Sequence, residues 1–192
     1  MPCNVEFNDF SHTAMISDSD VFISFRGEDK RYAFTDHLHA ALLEKKIEAY
    51  MDYRLKKGDD IVRSLKEAIK KSKIAVIIFS KRYASSKWCL EELVHVLERK
   101  KSYGQIVIPI FYGIDPSHVR KQQGTYALAL DELEKRFKGS TDEVVNWRDA
   151  LKEAADMAGF HYSSETGRTE ADFVEEVVQY VVTKFVGFLE EQ

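Results

Sequence analysis

At 192 residues the chain has room for one domain with ragged ends and not for two full-sized ones, given about 100–200 residues per domain. Hydrophobic residues at 44% and charged ones at 31% are globular proportions, which exclude disorder throughout. Lys and Arg number 28 against 32 Asp and Glu, a net charge of -4, so a general coat for polyphosphate is excluded and any anion site must come from local clustering.

Residues 1–18 are polar and unpatterned and read as a flexible N-terminal tail ahead of a single domain over 19–190. DVFISF (20–25) is short, apolar and rich in strand formers. Over 30–46, Phe34, Leu38, Ala41 and Leu42 recur at helical spacing, and IEAYMD (47–52) follows as a strand. A loop with Gly58 leads to a helix over 59–72, with Asp59 as its N-cap and Ile61, Leu65, Ala68 and Ile69 as its buried stripe. IAVIIF (74–79) lacks polar alternation, the pattern of a strand buried on both faces of a parallel sheet. A helix over 88–100 precedes IVIPIFYGI (106–114), where Pro109 weakens the strand reading. Helices are expected over 125–137 and 144–158, joined by a linker KGSTD (138–142). FHYS after Gly159 is a last strand, and 170–189 carries Phe173, Val177, Val181, Phe185 and Leu189 on one helical face. This alternation predicts an open, mainly parallel α/β sheet with helices on both faces.

Cys3 and Cys89 are too few for a disulfide framework, and no Cys/His spacing suggests zinc, so no metal is expected and a reducing compartment fits. No apolar run approaches the ~18 residues of a membrane span. The start, MPCNVEFNDFSH, reads neither as a secretory leader nor, with Pro2 in place of Gly, as a myristoylation site. GxGxxG and GxxxxGK[ST] are both missing.

In an open α/β sheet, ligands bind beyond the carboxyl ends of the strands where strand order reverses. That singles out the loop after the first strand, with Arg26 and Gly27, and the segment 80–87 after the third. Arg26 offers a planar fork for phosphate or carboxylate and Gly27 allows close backbone approach; a surface turn with a solvated charge is the alternative. On the next helix Leu90, Leu93, Val94 and Leu97 form a stripe, and Trp88 and Glu92 point nearly opposite to it, one turn apart. An outward aromatic paired with a carboxylate suits a ligand site; otherwise Trp88 packs under a loop and Glu92 is one more exposed acid, contributing within about 0.5 kcal/mol to stability. Cys89 lies off that face with no base partner. The stretch 54–73 is locally basic, either a phosphate-attracting patch or a solvated helix face.

DVFISFRGED, YRLKKGDDI, SSKWCLEEL and IPIFYGIDPSHVRKQQGTY, in this order, resemble the Toll/interleukin receptor (TIR) domain of plant intracellular immune receptors and of plant TIR-only proteins. The resemblance covers 20–189 and implies a flavodoxin-like five-stranded parallel sheet of order 2-1-3-4-5. It further implies an NAD+ nucleosidase of the ADP-ribosyl cyclase/hydrolase type, releasing nicotinamide and ADP-ribose-type signals in plant innate immunity and cell death. NAD+, or NADP+, is then a consumed substrate, and no cofactor is expected. By the family's Trp-x-x-x-Glu pattern Glu92 is catalytic, its neighbour Glu91 sitting about a quarter turn away. Arg26, Gly27, Lys56, Ser86 and Trp88 are implied around the substrate; the local basic excess and Gly58 add the expectation that the loop 53–58 gates the site. Family members assemble through the first and last helices and through a surface ahead of the fifth strand. The matching positions are Asp36 and His37, where the pattern has Ser-His, and Gly159 and Phe160, the latter frequently Trp. His37→Ala and Gly159→Arg, the latter more severely, are therefore expected to lower activity by disturbing homo-oligomer contacts, and other TIR-containing receptors are candidate partners. The family's nucleotide-binding module and leucine-rich repeats are not in this sequence, so a TIR-only protein or a fragment of a receptor is expected, in the cytoplasm or nucleus and away from membranes. Two other readings stand beside the enzyme: a non-enzymatic TIR–TIR adaptor, and filament or phosphodiester chemistry on nucleic acid, which the acidic total disfavours.

Overall fold

The computed structural model describes residues 19–27, 32–51, 59–137 and 141–191. Its elements, in chain order, are β1 (Val21–Ser24), α1 (Tyr32–Glu44), β2 (Ala49–Met51), α2 (Asp59–Lys71), β3 (Ile74–Phe79), α3 (Lys87–Tyr103), β4 (Ile106–Tyr112), α4 (Pro116–Arg120), α5 (Thr125–Arg136), α6 (Thr141–Ala155), β5 (Phe160–Tyr162) and α7 (Glu170–Glu190). Two single turns of 3-10 helix, Tyr83–Ser85 and Ser164–Thr166, complete it. The strands form one parallel sheet of order β2-β1-β3-β4-β5, in which Val21 pairs with Ala49 on one side and Ile74 on the other.

Period two along the strands sorts the core into two layers. Ile74, Val76 and Ile78 of β3 join Val21 and Ile23 beneath α1 and α7, while Ala75, Ile77 and Phe79 join Phe22 beneath α2, α3, α5 and α6. β3 is buried at every position, as a central strand covered on both faces must be. Pro109 does lie inside a strand: it stands opposite Ile77 of β3, one residue before Ile110 pairs with Phe160, so on the β5 side there is no ladder yet for it to interrupt.

Other expectations shift at element ends. Asp59 belongs to α2 instead of preceding it as the cap, and Thr141 and Asp142, read as linker, already belong to α6. On α7, Phe173, Val177 and Val181 are buried, but the helix outruns the sheet, so Phe185 is half-buried and Leu189 is 53% exposed. Periodicity marks a face without saying how far its partner surface extends. The segments 1–18 and 52–58, which include the expected tail, Lys56 and Gly58, lie outside the described residues. Among the described residues no helix is long and apolar enough to cross a membrane.

Candidate functional site

β1 leads to α1 on one face of the sheet and β3 leads to α3 on the other, which opens a crevice between the carboxyl ends of β1 and β3. Phe25, Arg26 and Gly27 leave β1 there, with Arg26 and Gly27 half-buried. Across from them, Ser86 caps α3: its backbone is extended and its hydroxyl accepts the Cys89 N–H at 3.3 Å. Accepting leaves the Ser86 hydroxyl proton for another acceptor. α3 ends at Gly104, whose φ of 69° is the left-handed conformation that glycine adopts without penalty.

Arg26, Ser86 and Trp88 line one cleft of about 500 Å³, together with Lys87 and, from α5, Arg136 and Phe137. Glu91 lines it too and pairs with Lys87 at 3.4 Å. Glu92 is not among the lining residues, and the expectation of an outward, exposed Glu92 is overturned. It is 8% exposed, and its Oε2 accepts a hydrogen bond from Ser24 Oγ at 2.7 Å. The buried residues of α3 are Cys89, Leu90, Glu92, Leu93, Val96 and Leu97. At 100° per residue they span an arc of about 160°, with Glu92 at one edge and Trp88 about 40° beyond it. The stripe read from sequence omitted Cys89 and Val96, which turned the inferred face away from the true one. Cys89 is likewise not off the Glu92 side: it is buried one turn before Glu92, and its Sγ donates to the Phe25 carbonyl oxygen at 3.6 Å.

Two residues here escaped the sequence reading. Ser24 ends β1, and Tyr83, fully buried in the turn after β3, places its hydroxyl 2.9 Å from Ser24 Oγ and 2.9 Å from the Cys89 carbonyl oxygen. The signal for Ser24 was a lone hydroxyl in an otherwise apolar strand end; Tyr83 carried none. Burial above all, then the proximity of Cys89 and Glu92, holds the Tyr83 phenol well above its ordinary value. The unfolded chain ionises this phenol near pH 10 and the folded chain does not. The stability this proton carries is complete below about pH 10 and is lost as pH rises above it, because only the unfolded state then releases the proton. Tyr83→Phe should flatten that alkaline decline, as read from urea midpoints on either side of pH 10; parallel declines in the two proteins would contradict it.

The remaining expected residues flank α7. Asp36 and His37 are exposed on α1, and His37 Nδ1 lies 3.3 Å from Oε1 of Glu170 at the start of α7. His37 borders a groove of about 540 Å³ between α1 and α7. Gly159 precedes β5 and Phe160 opens it, and the Phe160 ring packs edge-on against Phe173 and Tyr180 of α7. The structure thus gathers Arg26, Ser86 and Trp88 in one cleft, buries Glu92 outside its lining, and keeps both other pairs apart from it. Among the described residues no group of three or more His, Cys, Asp or Glu is arranged to hold a metal ion.

A parallel five-stranded α/β domain of order 2-1-3-4-5, with polar residues gathered at the β1/β3 crevice, defines a flavodoxin-like fold. The model of the TIR domain family matches residues 19–192, and the chain belongs to that family. Its relatives are plant disease resistance proteins. The disease resistance protein RPV1 of Vitis rotundifolia is 46% identical over 162 residues, covering 84% of this chain and 11% of that protein. The TMV resistance protein N of Nicotiana glutinosa is 43% identical over 166 residues, 86% of this chain and 14% of that protein. The chain thus spans a small part of the curated relatives it matches. The TIR domains of the activated Roq1 resistosome, described as directly recognizing the pathogen effector XopQ, superpose with a TM-score of 0.77 at 43% identity over 85% of this chain and 99% of that one. The RPS4 and RRS1 TIR domain heterodimer superposes with a TM-score of 0.54 at 23% identity, over 86% of this chain and 97% of that one, a likeness of fold alone.

Proposed function

We propose that this TIR domain cleaves NAD+ at the nicotinamide glycosidic bond and does so as a self-associated species in plant defence signalling, in the cytoplasm or nucleus. The observation that carries this reading is a carboxylate, Glu92, held by Ser24 at the end of β1 and one turn along α3 from Trp88, which shares its cleft with Arg26 and Ser86. Cleavage breaks the bond between ribose C1′ and the pyridinium nitrogen. The bonding pair goes to the ring, so nicotinamide leaves neutral and needs no general acid. The oxocarbenium-like centre left at C1′ is stabilised by Glu92, and water adds there with release of a proton. Trp88 supplies a flat apolar face for a ring, Arg26 a fork for the pyrophosphate, and Ser86 a hydroxyl donor. Gly27 would let the backbone approach the substrate. Concentrated protein incubated with NAD+ should release nicotinamide; NADP+ is the second substrate to try. No release at any concentration would leave the TIR–TIR adaptor as the surviving function, which the α1/α7 groove also suits. The acidic total continues to disfavour nucleic acid.

Positioning and exclusion of water supply much of such a barrier reduction, and a half-open cleft provides little of either. Assembly through Asp36 and His37 on α1, and through the surface of Gly159 and Phe160, would bring a neighbour's surface over it. The rate per protomer should therefore rise with concentration across a hundredfold dilution series. A flat rate from a species that sediments as a monomer would remove assembly control and leave the chemistry. Lys56, in the loop proposed to gate the site, is assigned to substrate charge. Lys56→Glu should raise the KM for NAD+, and less so at 1 M salt, where screening shortens to about 3 Å. Equal effects at both salts would refute that assignment.

A further inference from the structure

Ser24 is the polar residue that breaks the apolar run of β1, and the two-residue repeat decides where its hydroxyl goes. Val21 and Ile23 face α1 and α7 while Phe22 faces α2 and α3, so Ser24 shares Phe22's face and turns toward α3. It sits opposite Ile77 of β3 and is 1% exposed. Ser24 thereby meets two residues lying 59 and 68 positions later in one buried row: Tyr83 Oη, Ser24 Oγ and Glu92 Oε2, at successive separations of 2.9 and 2.7 Å.

We propose that Ser24 is a positioning residue for Glu92, braced in turn by Tyr83; the inference rests on the NAD+-cleaving reading given above. Proton counting sets the direction of the row. An ionised carboxylate only accepts, so the single Ser24 proton points to Glu92, and Ser24 is left to accept from Tyr83. The Tyr83 proton is shared between Ser24 Oγ and the Cys89 carbonyl oxygen, both 2.9 Å away. Two hydroxyl dipoles then run head to tail onto one carboxylate oxygen, favouring one rotamer. The need for such a brace follows from helix geometry. Glu92 stands at the edge of the buried arc, where a flexible side chain can turn either inward or along the helix surface, and a charge-assisted bond of 2.7 Å selects one of these. Since misplacement of a reacting group by about 1 Å can cost on the order of a hundredfold in rate, losing the brace should lower turnover while leaving substrate affinity in place.

The test compares the wild-type chain with Ser24→Ala, Ser24→Cys, Tyr83→Phe and Glu92→Ala. Val96→Ala serves as a control that opens a cavity in the same helix. Nicotinamide release gives kcat and KM for NAD+, and thermal melts report folding. Ser24→Ala should lower kcat by roughly 10- to 100-fold. KM for NAD+ should move less than about threefold, since binding in the ground state is not what is removed. Ser24→Cys, close in size with a weak donor, should also lose kcat, and Tyr83→Phe should lose less than either. Val96→Ala should melt earlier yet keep its kcat below the transition. If Ser24→Ala fails to fold, Ser24→Cys decides. Wild-type kcat in a folded Ser24 variant, or a raised KM with unchanged kcat, overturns the positioning role while leaving the enzyme reading intact so long as Glu92→Ala is inactive. A wild type that releases no nicotinamide brings down the enzyme reading itself, and a fully active Glu92→Ala removes both Glu92 from the chemistry and, with it, the positioning role of Ser24.

Discussion

Glu92→Ala should lose nicotinamide release by at least on the order of 10²–10³, the scale on which removal of a preorganised electrostatic partner of the transition state is felt. The variant should not be silent in stability. Its carboxylate is buried and is the acceptor for Ser24, so truncation leaves that hydroxyl with an altered set of partners and opens space behind the cleft. Loss of one partner of a buried hydrogen bond costs about 1–3 kcal/mol. For a domain of this size that is roughly 2–4 °C in melting temperature per kcal/mol. The assay therefore belongs well below the melting transition, beside Glu92→Gln, which keeps the shape and an accepting oxygen and removes the charge. Both variants folded and inactive is the expected outcome. Glu91→Ala is the internal comparison, because Glu91 lines the cleft in its ion pair with Lys87. An inactive Glu91→Ala beside an active Glu92→Ala would transfer the chemistry to Glu91.

Gly159→Arg should damage the fold before it reports on any interface. A Cβ at Gly159 would stand 2.3 Å from the Pro109 carbonyl oxygen and 2.7 Å from Pro109 Cγ, both on a residue inside β4. A backbone carbonyl in an interior strand cannot yield cheaply, and overpacking of this kind costs about 1–3 kcal/mol or more. The clash begins at Cβ, so Gly159→Ala should melt several degrees early as well, with Gly159→Arg lower still. If both melt with wild type, the contact does not constrain the fold. The consequence for assembly is direct: lost activity in Gly159→Arg is ambiguous. His37→Ala is the cleaner probe, since His37 is exposed and its partner contact is a 3.3 Å approach to Glu170, of the kind usually within about 1 kcal/mol.

The sequence by itself determined the layers. The apolar run at 74–79 reads as a strand buried on both faces, that at 106–112 as a second one weakened by Pro109, and the helical repeats between them as the covering layers, so the parallel sheet and its β1/β3 crevice were legible without coordinates. The Trp88–Glu92 spacing, the loop bearing Arg26 and the family were legible too, because local spacing and residue type carry them. What only the tertiary structure decided is where each face meets a partner surface. α3 is buried over a wider arc than its leucines mark, because the sheet end, the turn at Tyr83–Ser85 and α6 cover it from different directions; this draws Glu92 inward and onto Ser24. α7 keeps its periodicity past the sheet, so Leu189 repeats the pattern yet is 53% exposed among the described residues. Gly159 looks from sequence like any surface glycine, and only the approach of Pro109, 50 residues earlier, shows why no side chain fits. Periodicity is a property of one element, whereas burial and hydrogen-bond partners belong to pairs of elements brought together from distant parts of the chain.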